Sequence, residues 1–279
     1  MRFTKMHGAG NDFIIINNMD GNIAIDSLPQ LARRLCARQT AIGADGMMVV
    51  TPAKDDADYA MLFYNADGSL GEMCGNGARC ICRYGYEKAL ASHLPRVETT
   101  AGIVTGERLD SQSYRIRLND PSLVDSHRRV KIDNEEYDCC YVELGTPGLP
   151  HAIVIMPGFA AIDTNQLREL GRKLRYAKEF PKGANVSFVD VKSGSLVDII
   201  TFERGVEDFT LACGTGCGSA ALSLLRRGIC GRKLELHAPG GTLHVELLGE
   251  DDAVSDIYLS GPTCIVCEGE VSEELLENL

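Results

Sequence analysis

Two short stretches of the sequence place a cysteine directly before a run of glycine and small polar residues. The shared pattern covers Cys74, Gly75, Asn76 and Gly77 in GEMCGNGARC, and Cys213, Gly214, Thr215 and Gly216 in LACGTGCGS. Glycine lets a bound anion approach the backbone closely, and the first turn of a helix carries N–H groups that have no partner within the helix. Each stretch therefore predicts a backbone cradle for an anion such as a carboxylate, with a thiol beside it.

The two thiols, Cys74 and Cys213, are predicted to be the acid/base groups of an isomerisation. Inverting a carbon that bears hydrogen requires proton removal from one face and proton delivery to the other, and two monoprotic groups can share that work. We expect the positive end of each helix to stabilise the thiolate form. The N–H groups of the cradles would stabilise the negative charge that develops on the neighbouring carboxylate.

Other functions of these cysteines fit their spacing less well. A zinc site normally shows close C-x-x-C pairs, whereas Cys74, Cys80 and Cys82 are separated by five residues and by one. A cysteine hydrolase needs a histidine base, and none of the six histidines lies in a recognisable motif. A phosphate loop would end in Gly-Lys-Ser/Thr. No metal ligands are predicted, and ordinary buried thiols remain the alternative.

The one C-x-x-C motif of the chain is formed by Cys264 and Cys267 in TCIVCEG. It sits in an apolar run, and free cysteines are among the most buried residue types. We therefore expect two buried core thiols here rather than metal or redox ligands.

The elements around both cysteine stretches are alike. A strand pattern, YAMLFYN or DIITFER, is followed by a polar turn, by C-G-x-G and by a helical stretch rich in small residues. This predicts two similar halves divided near residues 118–129, although two unrelated strand-to-helix turns would give the same local pattern. Further strands are predicted in FIIINN, DGMMVVT, HAIVIM and VSFVDV. Helices are predicted over residues 28–38 and after a cap at Asp163 or Thr164, so the fold class is α+β.

Composition excludes several classes of protein. The chain has 279 residues, a formal net charge of −11 and no long apolar run, so neither a nucleic-acid partner nor a membrane span is expected. Its eleven cysteines are an odd number in a chain without an export signal at its start. We therefore expect reduced thiols and a cytoplasmic location.

Four ordered motifs resemble the diaminopimelate epimerase family. They are KMHGAGNDF (5–13), YNADGSLGEMCGNGARC (64–80), NVSF (185–188) and FERGVEDFTLACGTG (202–216), and the resemblance runs on to LSGP at 259–262. It implies a cofactor-independent isomerase that interconverts LL- and meso-diaminopimelate, a small-molecule substrate on the lysine and cell-wall precursor route. It also implies a homodimer.

The resemblance further implies a fold of two pseudo-symmetric halves. Each half is a sheet wrapped around a central helix, and the active site lies in the cleft between them. The expected N-terminal half covers residues 1–120, with 262–279 returning to it, and the C-terminal half covers 121–261.

Site residues follow from the matched motifs. Cys74 and Cys213 resemble the two acid/base thiols, and the backbone of Gly75, Asn76, Gly214 and Thr215 resembles the grip on the reacting carboxylate. The groups that hold the rest of the substrate would be Asn11, Asn65, Asn185, Glu203 and Arg204. From the sequence alone, Asn11 could equally be a turn residue after Gly10, and Arg204 could be a solvated surface arginine.

Two departures from the family pattern concern substrate recognition. Family members often carry GNPH where this chain reads GTPGLPH at 145–151, so an asparagine for the distal carboxylate is absent or displaced ahead of His151. Phe209 stands where an acidic residue is common. A racemase for another amino acid such as histidine is therefore an alternative. From another class, the alternative is a non-catalytic amino-acid-binding module, against which the two titratable thiols argue.

Overall fold

The computed structural model describes residues 1–54, 56–71, 75–250 and 253–277. The chain divides into two compact units. Unit 1 comprises Met1–Ile116 together with the segment that starts at Gly261, and unit 2 comprises Arg117–Ser260. Within the described ranges, no helix has the length and apolar character needed to cross a membrane.

The described residues form seventeen strands, five α-helices and two short 3₁₀ turns. The strands are β1 (Arg2–Gly8), β2 (Asn11–Asn17), β3 (Gly46–Thr51), β4 (Tyr59–Asn65), β5 (Arg96–Thr99), β6 (Gly102–Arg108), β7 (Ser113–Arg117), β8 (Pro121–Ile132), β9 (Glu135–Leu144), β10 (Leu149–Ile155), β11 (Asn185–Val191), β12 (Leu196–Phe202), β13 (Phe209–Thr210), β14 (Lys233–Ala238), β15 (Gly241–Leu248), β16 (Asp256–Pro262) and β17 (Cys264–Glu270). The helices are α1 (Leu28–Leu35), α2 (Gly75–Glu87), α3 (Thr164–Arg175), α4 (Gly214–Arg226) and α5 (Glu273–Leu276), and the 3₁₀ turns are Ile25–Ser27 and Phe159–Ala161.

The strands of unit 1 form a mixed sheet in the order β17-β1-β2-β3-β4-β5-β6-β7. The pairs β2–β3 and β4–β5 are parallel, and the other pairs are antiparallel. Helix α1 connects β2 to β3, and helix α2 connects β4 to β5. A parallel pair needs such a crossover connection, which explains why both helices occur at these points.

Unit 2 repeats this arrangement strand for strand. Its order is β8-β9-β10-β11-β12-β14-β15-β16, with parallel pairs β10–β11 and β12–β14 at the same two places. Helices α3 and α4 form the two crossovers. The predicted α+β fold with two similar halves is confirmed, and the shared strand order extends the likeness well beyond the two cysteine stretches.

Each sheet curves around one central helix. Helix α2 packs against β1, β2 and β6, and helix α4 packs against β9, β10, β11 and β15. Nearly all of α4 is buried, from Gly214 to Leu224 with the exception of Thr215. A helix that is buried on all sides needs small or apolar residues around its whole circumference, and the sequence GTGCGSAALSLL supplies them.

The opposite face of each sheet is covered by the first helix of the unit. In unit 1, Leu28, Leu31 and Leu35 of α1 join Ile14 and Met47 in one buried cluster. In unit 2, Leu167 and Leu174 of α3 join a cluster of sheet residues that includes Phe188 and Phe202. Both helices follow the predicted spacing, and Asp163 caps α3 as predicted by accepting hydrogen bonds from two backbone N–H groups.

The prediction of buried thiols at Cys264 and Cys267 was wrong. Both side chains are exposed, because β17 pairs with β1 and forms the edge of its sheet. Val266, between them, is 52 % exposed at an irregularity in the pairing. The apolar run indicated a strand correctly, but it did not indicate that the strand lies at an edge.

Candidate active site

Cys213 occupies the position just before helix α4. Its backbone is extended, and its Sγ accepts a hydrogen bond from the backbone N–H of Gly216 at 3.4 Å. The Thr215 hydroxyl lies 3.6 Å from the same sulfur atom. The thiol therefore caps the positive end of a buried helix, in the position usually taken by serine, threonine or aspartate.

Gly216 of this turn is closely packed. A Cβ added to Gly216 would lie 3.2 Å from the Sγ of Cys213 and 3.2 Å from the Oγ of Ser187. Ser187 is fully buried on β11, and its hydroxyl is 2.9 Å from that of Thr201 on β12. The turn thus lies against the Ser187 hydroxyl, which is paired with that of Thr201. Because residue 216 is glycine, no side chain at that position covers the backbone N–H groups of the turn.

The surroundings of Cys213 do not favour its thiolate in the resting structure. Burial raises the pKa of the thiol well above its ordinary value, and the Glu203 carboxylate raises it further. The hydrogen bonds of Thr215 and Gly216 act in the opposite direction and are the weaker influence. The helix start does favour the thiolate, as expected, through the Gly216 N–H, but burial and Glu203 outweigh it, so the balance favours the protonated thiol.

Two of the predicted substrate-binding residues touch each other near the end of β12. The backbone N–H of Arg204 donates to the Oδ1 of Asn185 at 2.7 Å, and the exposed Arg204 guanidinium donates to the carbonyl of Lys182 at 3.3 Å. Glu203 accepts a hydrogen bond from the Thr210 hydroxyl at 2.5 Å. Unit 2 therefore brings Asn185, Glu203 and Arg204 together on two adjacent strand ends.

His151 lies beside Asn185 in the same sheet. It is the register partner of Asn185 on the parallel strand pair β10–β11, it is 0 % exposed, and neither ring nitrogen has a hydrogen-bond partner among the described residues. Burial and the nearby Arg204 charge lower its pKa to about 3. The ring is therefore neutral at ordinary pH and can offer one donor and one acceptor.

In unit 1, the corresponding helix start belongs to α2. Gly75 and Asn76 form its first residues and are both buried. The fully buried Arg79 donates to the Asn76 Oδ1 at 2.9 Å and to the Gly75 carbonyl at 3.4 Å. The predicted catalytic residue Cys74 directly precedes this turn in the sequence but lies outside the described residues.

The two other predicted residues of unit 1 lie at strand ends. Asn11 begins β2 and donates through its Nδ2 to the Oδ2 of Asp45 at 2.6 Å. Asn65 ends β4 and donates through its Nδ2 to the Ser69 hydroxyl at 2.9 Å. Phe13 of β2, Gly46 of β3 and Asn65 of β4 are register partners. Asn11 and Asn65 therefore lie at the same end of these three strands.

The strand register locates the segment that departs from the family pattern. Asn11 is the first residue of β2 and pairs with Gly8, the last residue of β1. Leu149 is the first residue of β10 and pairs with Leu144, the last residue of β9. Leu149 therefore occupies in unit 2 the position that Asn11 occupies in unit 1.

Two residues near Cys213 were missed by reasoning from the sequence. Thr210 binds Glu203, and Ser187 lies under Gly216. Ser187 stands within the NVSF motif and Thr210 within FERGVEDFTLACGTG. Their position within these motifs could have identified them as candidates. The strand pattern alone could not, because it does not show which partner a hydroxyl group binds.

Comparison with solved structures finds proteins of the same fold. The structure matches a hydroxyproline epimerase from Agrobacterium vitis with a TM-score of 0.70 at 18 % identity, covering 96 % of this chain and 91 % of that chain. At that identity the likeness concerns the fold alone.

Sequence comparison is more specific. The sequence model of the family described as diaminopimelate epimerase matches residues 3–123 and 145–266. The diaminopimelate epimerase of Caldanaerobacter subterraneus subsp. tengcongensis is 39 % identical over 97 % of this chain and 99 % of that protein. The one from Aquifex aeolicus is 34 % identical over 99 % of this chain and its own full length. The chain belongs to the diaminopimelate epimerase family.

Proposed function

We propose that this protein interconverts LL- and meso-diaminopimelate without a cofactor, using Cys74 and Cys213 as its two acid/base groups. One thiolate removes the proton from the α-carbon, and the other thiol delivers a proton to the opposite face. The observation that carries the proposal is the position of Cys213 as the cap of the buried helix α4, in a unit whose strand order repeats that of the unit holding Cys74. Membership of the family supports the substrate.

The reacting carboxylate would be held by backbone N–H groups of Gly75, Asn76, Gly214 and Thr215. These four residues begin α2 and α4, where N–H groups have no intrahelical acceptor. Proton removal places negative charge on this carboxylate, and N–H groups already aimed at it stabilise the charge without reorganisation. Two of the four residues, Gly75 and Gly214, have no side chain, which lets a ligand approach the backbone closely.

Cys213 would start as the proton donor in one direction of the reaction. Burial and Glu203 keep its pKa high in the resting protein. The same high pKa makes the Cys213 thiolate, left after the proton has been delivered, a strong base for the reverse direction of the reaction. The opposite role, starting as thiolate, is assigned to Cys74.

The distal amino-acid end of the substrate would be bound by Asn11, Asn65, Asn185, Glu203 and Arg204. Glu203 supplies negative charge for an ammonium group, and Arg204 supplies a planar guanidinium that can bind a carboxylate through two hydrogen bonds. The bond between the Arg204 N–H and Asn185 fixes the backbone from which that side chain extends.

A racemase for another amino acid, such as histidine, is the second candidate. It is favoured by one observation, the apolar Leu149 at the position equivalent to Asn11. A pocket with Leu149 would offer one polar contact fewer to a distal carboxylate. The thiol chemistry would be unchanged.

The test is isotope exchange in deuterium oxide. Purified protein is incubated with LL-diaminopimelate, meso-diaminopimelate or L-histidine, and loss of the α-proton signal and stereochemical inversion are followed together. Exchange and inversion of diaminopimelate at a clearly higher rate support the proposal. Preference for histidine would overturn the substrate and keep the thiol mechanism, and absence of exchange with every amino acid would indicate a binding module.

We also propose a cytoplasmic location and a homodimer. All ten cysteines among the described residues are free, which is consistent with a reducing compartment. The homodimer rests on the family resemblance alone, and light scattering on the purified protein measures its mass directly.

A further inference from the structure

The strand β13 consists of two residues that point to opposite faces of the sheet. Phe209 pairs with Phe202 and Thr210 pairs with Thr201 at the end of β12. The Phe209 ring packs edge-on against Phe188 at 6.3 Å and Phe202 at 5.9 Å between centroids. Because successive strand residues alternate in direction, burial of Phe209 in the unit 2 core turns Thr210 toward the other face.

The loop between β12 and β13 is anchored at further points. Asp208 pairs with Arg168 of α3 at 2.6 Å, and Glu207 pairs with Arg175 of the same helix at 3.0 Å. The backbone N–H of Glu203 donates to the Asp208 carbonyl at 3.0 Å. Phe209, which departs from the family pattern, is therefore one of several residues whose contacts anchor this loop to the rest of unit 2.

Thr210 donates its hydroxyl proton to the Oε1 of Glu203 at 2.5 Å. A hydrogen bond to a carboxylate is short and stronger than one between neutral groups. Thr210 is also three residues before Cys213 in the chain. A single hydroxyl group thus links the backbone that leads into the catalytic turn with the carboxylate that acts on its thiol.

We propose that Thr210 is a positioning residue for Glu203, and that the hydrogen bond between them fixes the Glu203 carboxylate relative to the turn that carries Cys213. The consequence for turnover rests on the proposed function. The effect on the Cys213 thiol itself does not, because it is measured without substrate.

The direction of the effect follows from the groups that act on Cys213. On the raising side are burial, Glu203 and Cys217 of α4; on the lowering side are the Thr215 hydroxyl and the Gly216 N–H. The neutral hydroxyl of Ser187 on β11 also lies beside this turn, 3.2 Å from the Cβ that a side chain at residue 216 would carry. Releasing the Glu203 carboxylate removes negative charge from the thiol, so the thiolate should form at lower pH.

The experiment measures alkylation of Cys213 by iodoacetamide, followed for its own peptide by mass spectrometry, from neutral to alkaline pH. Thr210→Val removes the donor and keeps the shape of a β-branched residue, whereas Thr210→Ser keeps the donor. We expect Thr210→Val to raise the alkylation rate at neutral pH by roughly three- to tenfold, which corresponds to about half to one pKa unit. Thr210→Ser should keep the wild-type profile.

A double-mutant cycle with Glu203→Gln distinguishes positioning from other effects. Glu203→Gln should accelerate alkylation at least as much as Thr210→Val, and adding Thr210→Val to Glu203→Gln should change nothing further. Acceleration by Thr210→Val that persists in the Glu203→Gln background would overturn the proposal, as would an unchanged rate in Thr210→Val. Thermal unfolding of each variant identifies any loss of fold, and in that case Thr210→Ala takes the place of Thr210→Val.

Failure of this proposal and failure of the proposed function give different results. If the protein does not act on diaminopimelate, the alkylation profiles still report on Thr210. If it does, the limb of the pH–rate profile that reports on Cys213 should shift to lower pH in Thr210→Val and remain in place in Thr210→Ser.

Discussion

The two units share a strand order but differ in the side chains at corresponding strand ends. The row across β2, β3 and β4 is Phe13, Gly46 and Asn65, and the row across β10, β11 and the position just after β12 is His151, Asn185 and Glu203. Two of the three groups in unit 2 can ionise, and none of those in unit 1 can. The repeated backbone therefore supplies two similar helix starts, while the ionisable groups of this row belong to one unit.

The central helices differ in the same way. The fifth residue of α2 is the buried Arg79, which binds the Asn76 side chain in the first turn. The fifth residue of α4 is Gly218, where an added Cβ would lie 2.6 Å from Leu118. A guanidinium group thus lies at the start of α2, and the carboxylate of Glu203 acts at the start of α4. The two similar turns therefore differ in the sign of the charge beside them.

The largest effect is expected from removing either thiol. Cys213→Ala and Cys74→Ala should each reduce inversion of the proposed substrate by roughly 10²- to 10⁴-fold, because each removes one of two groups that act on opposite faces of the carbon. The measurement is turnover with LL-diaminopimelate. Cys217→Ala, on the next turn of α4, is the matched control, and a variant at Cys213 that turns over normally would exclude the two-thiol mechanism.

The second prediction concerns Arg204, the cation that follows β12 in unit 2. Arg204→Met should lower kcat/KM for diaminopimelate by roughly 10- to 100-fold, because charge-assisted bonds worth about 1.5 to 3 kcal/mol are lost. Substrates without a distal carboxylate should lose far less. Arg172→Met, an exposed arginine of α3, serves as the control, and equal losses for both substrate classes would remove Arg204 from the distal site.

The third prediction concerns His151, whose counterpart in unit 1 is Phe13. Since the folded protein holds the pKa of His151 near 3 against an ordinary 6.5, the unfolded chain binds a proton below pH 6.5 that the folded chain does not. Stability is therefore lost as pH falls from 6.5 toward 3, by about 2 kcal/mol at about pH 5 from this residue alone. His151→Phe, which copies Phe13, should remove that part of the slope.

Urea unfolding at a series of pH values measures the slope for wild type and His151→Phe. Other groups also titrate in this range, so the difference between the two slopes is the quantity of interest. Parallel curves for the two proteins would show that His151 gains access to protons in the folded state.

The smallest effect compares the first helices of the two units. Asp163 caps α3 through hydrogen bonds from Asn165 and Gln166 at 3.0 and 3.1 Å, whereas Ser27 makes no side-chain cap bond to α1. Asp163→Ala should lower the free energy of unfolding by about 1 kcal/mol, and Ser27→Ala should lower it less. Chemical denaturation of both variants measures this, and the reverse order would mean that the cap bonds of α3 contribute nothing.

Local patterns in the sequence determined most of the elements. The apolar runs of β2, β3, β4, β10, β11 and β12 and the leucine spacing of α1 and α3 identified those elements, because alternation and helical spacing follow from burying one face. The Cys-Gly-x-Gly stretches likewise identified the starts of α2 and α4, since a tight approach of the backbone requires glycine. The family motifs supplied the candidate residues and the reaction.

Tertiary structure decided the properties that depend on distant neighbours. The pKa of Cys213 is raised by burial and by Glu203, ten residues earlier in the chain, although the local helix start favours the thiolate. The exposure of Cys264 and Cys267 depends on β17 lying at a sheet edge, and the neutrality of His151 depends on strands that enclose it. Charge state and solvent access are set by everything within a few ångströms in space, and one stretch of sequence contains only a part of those surroundings.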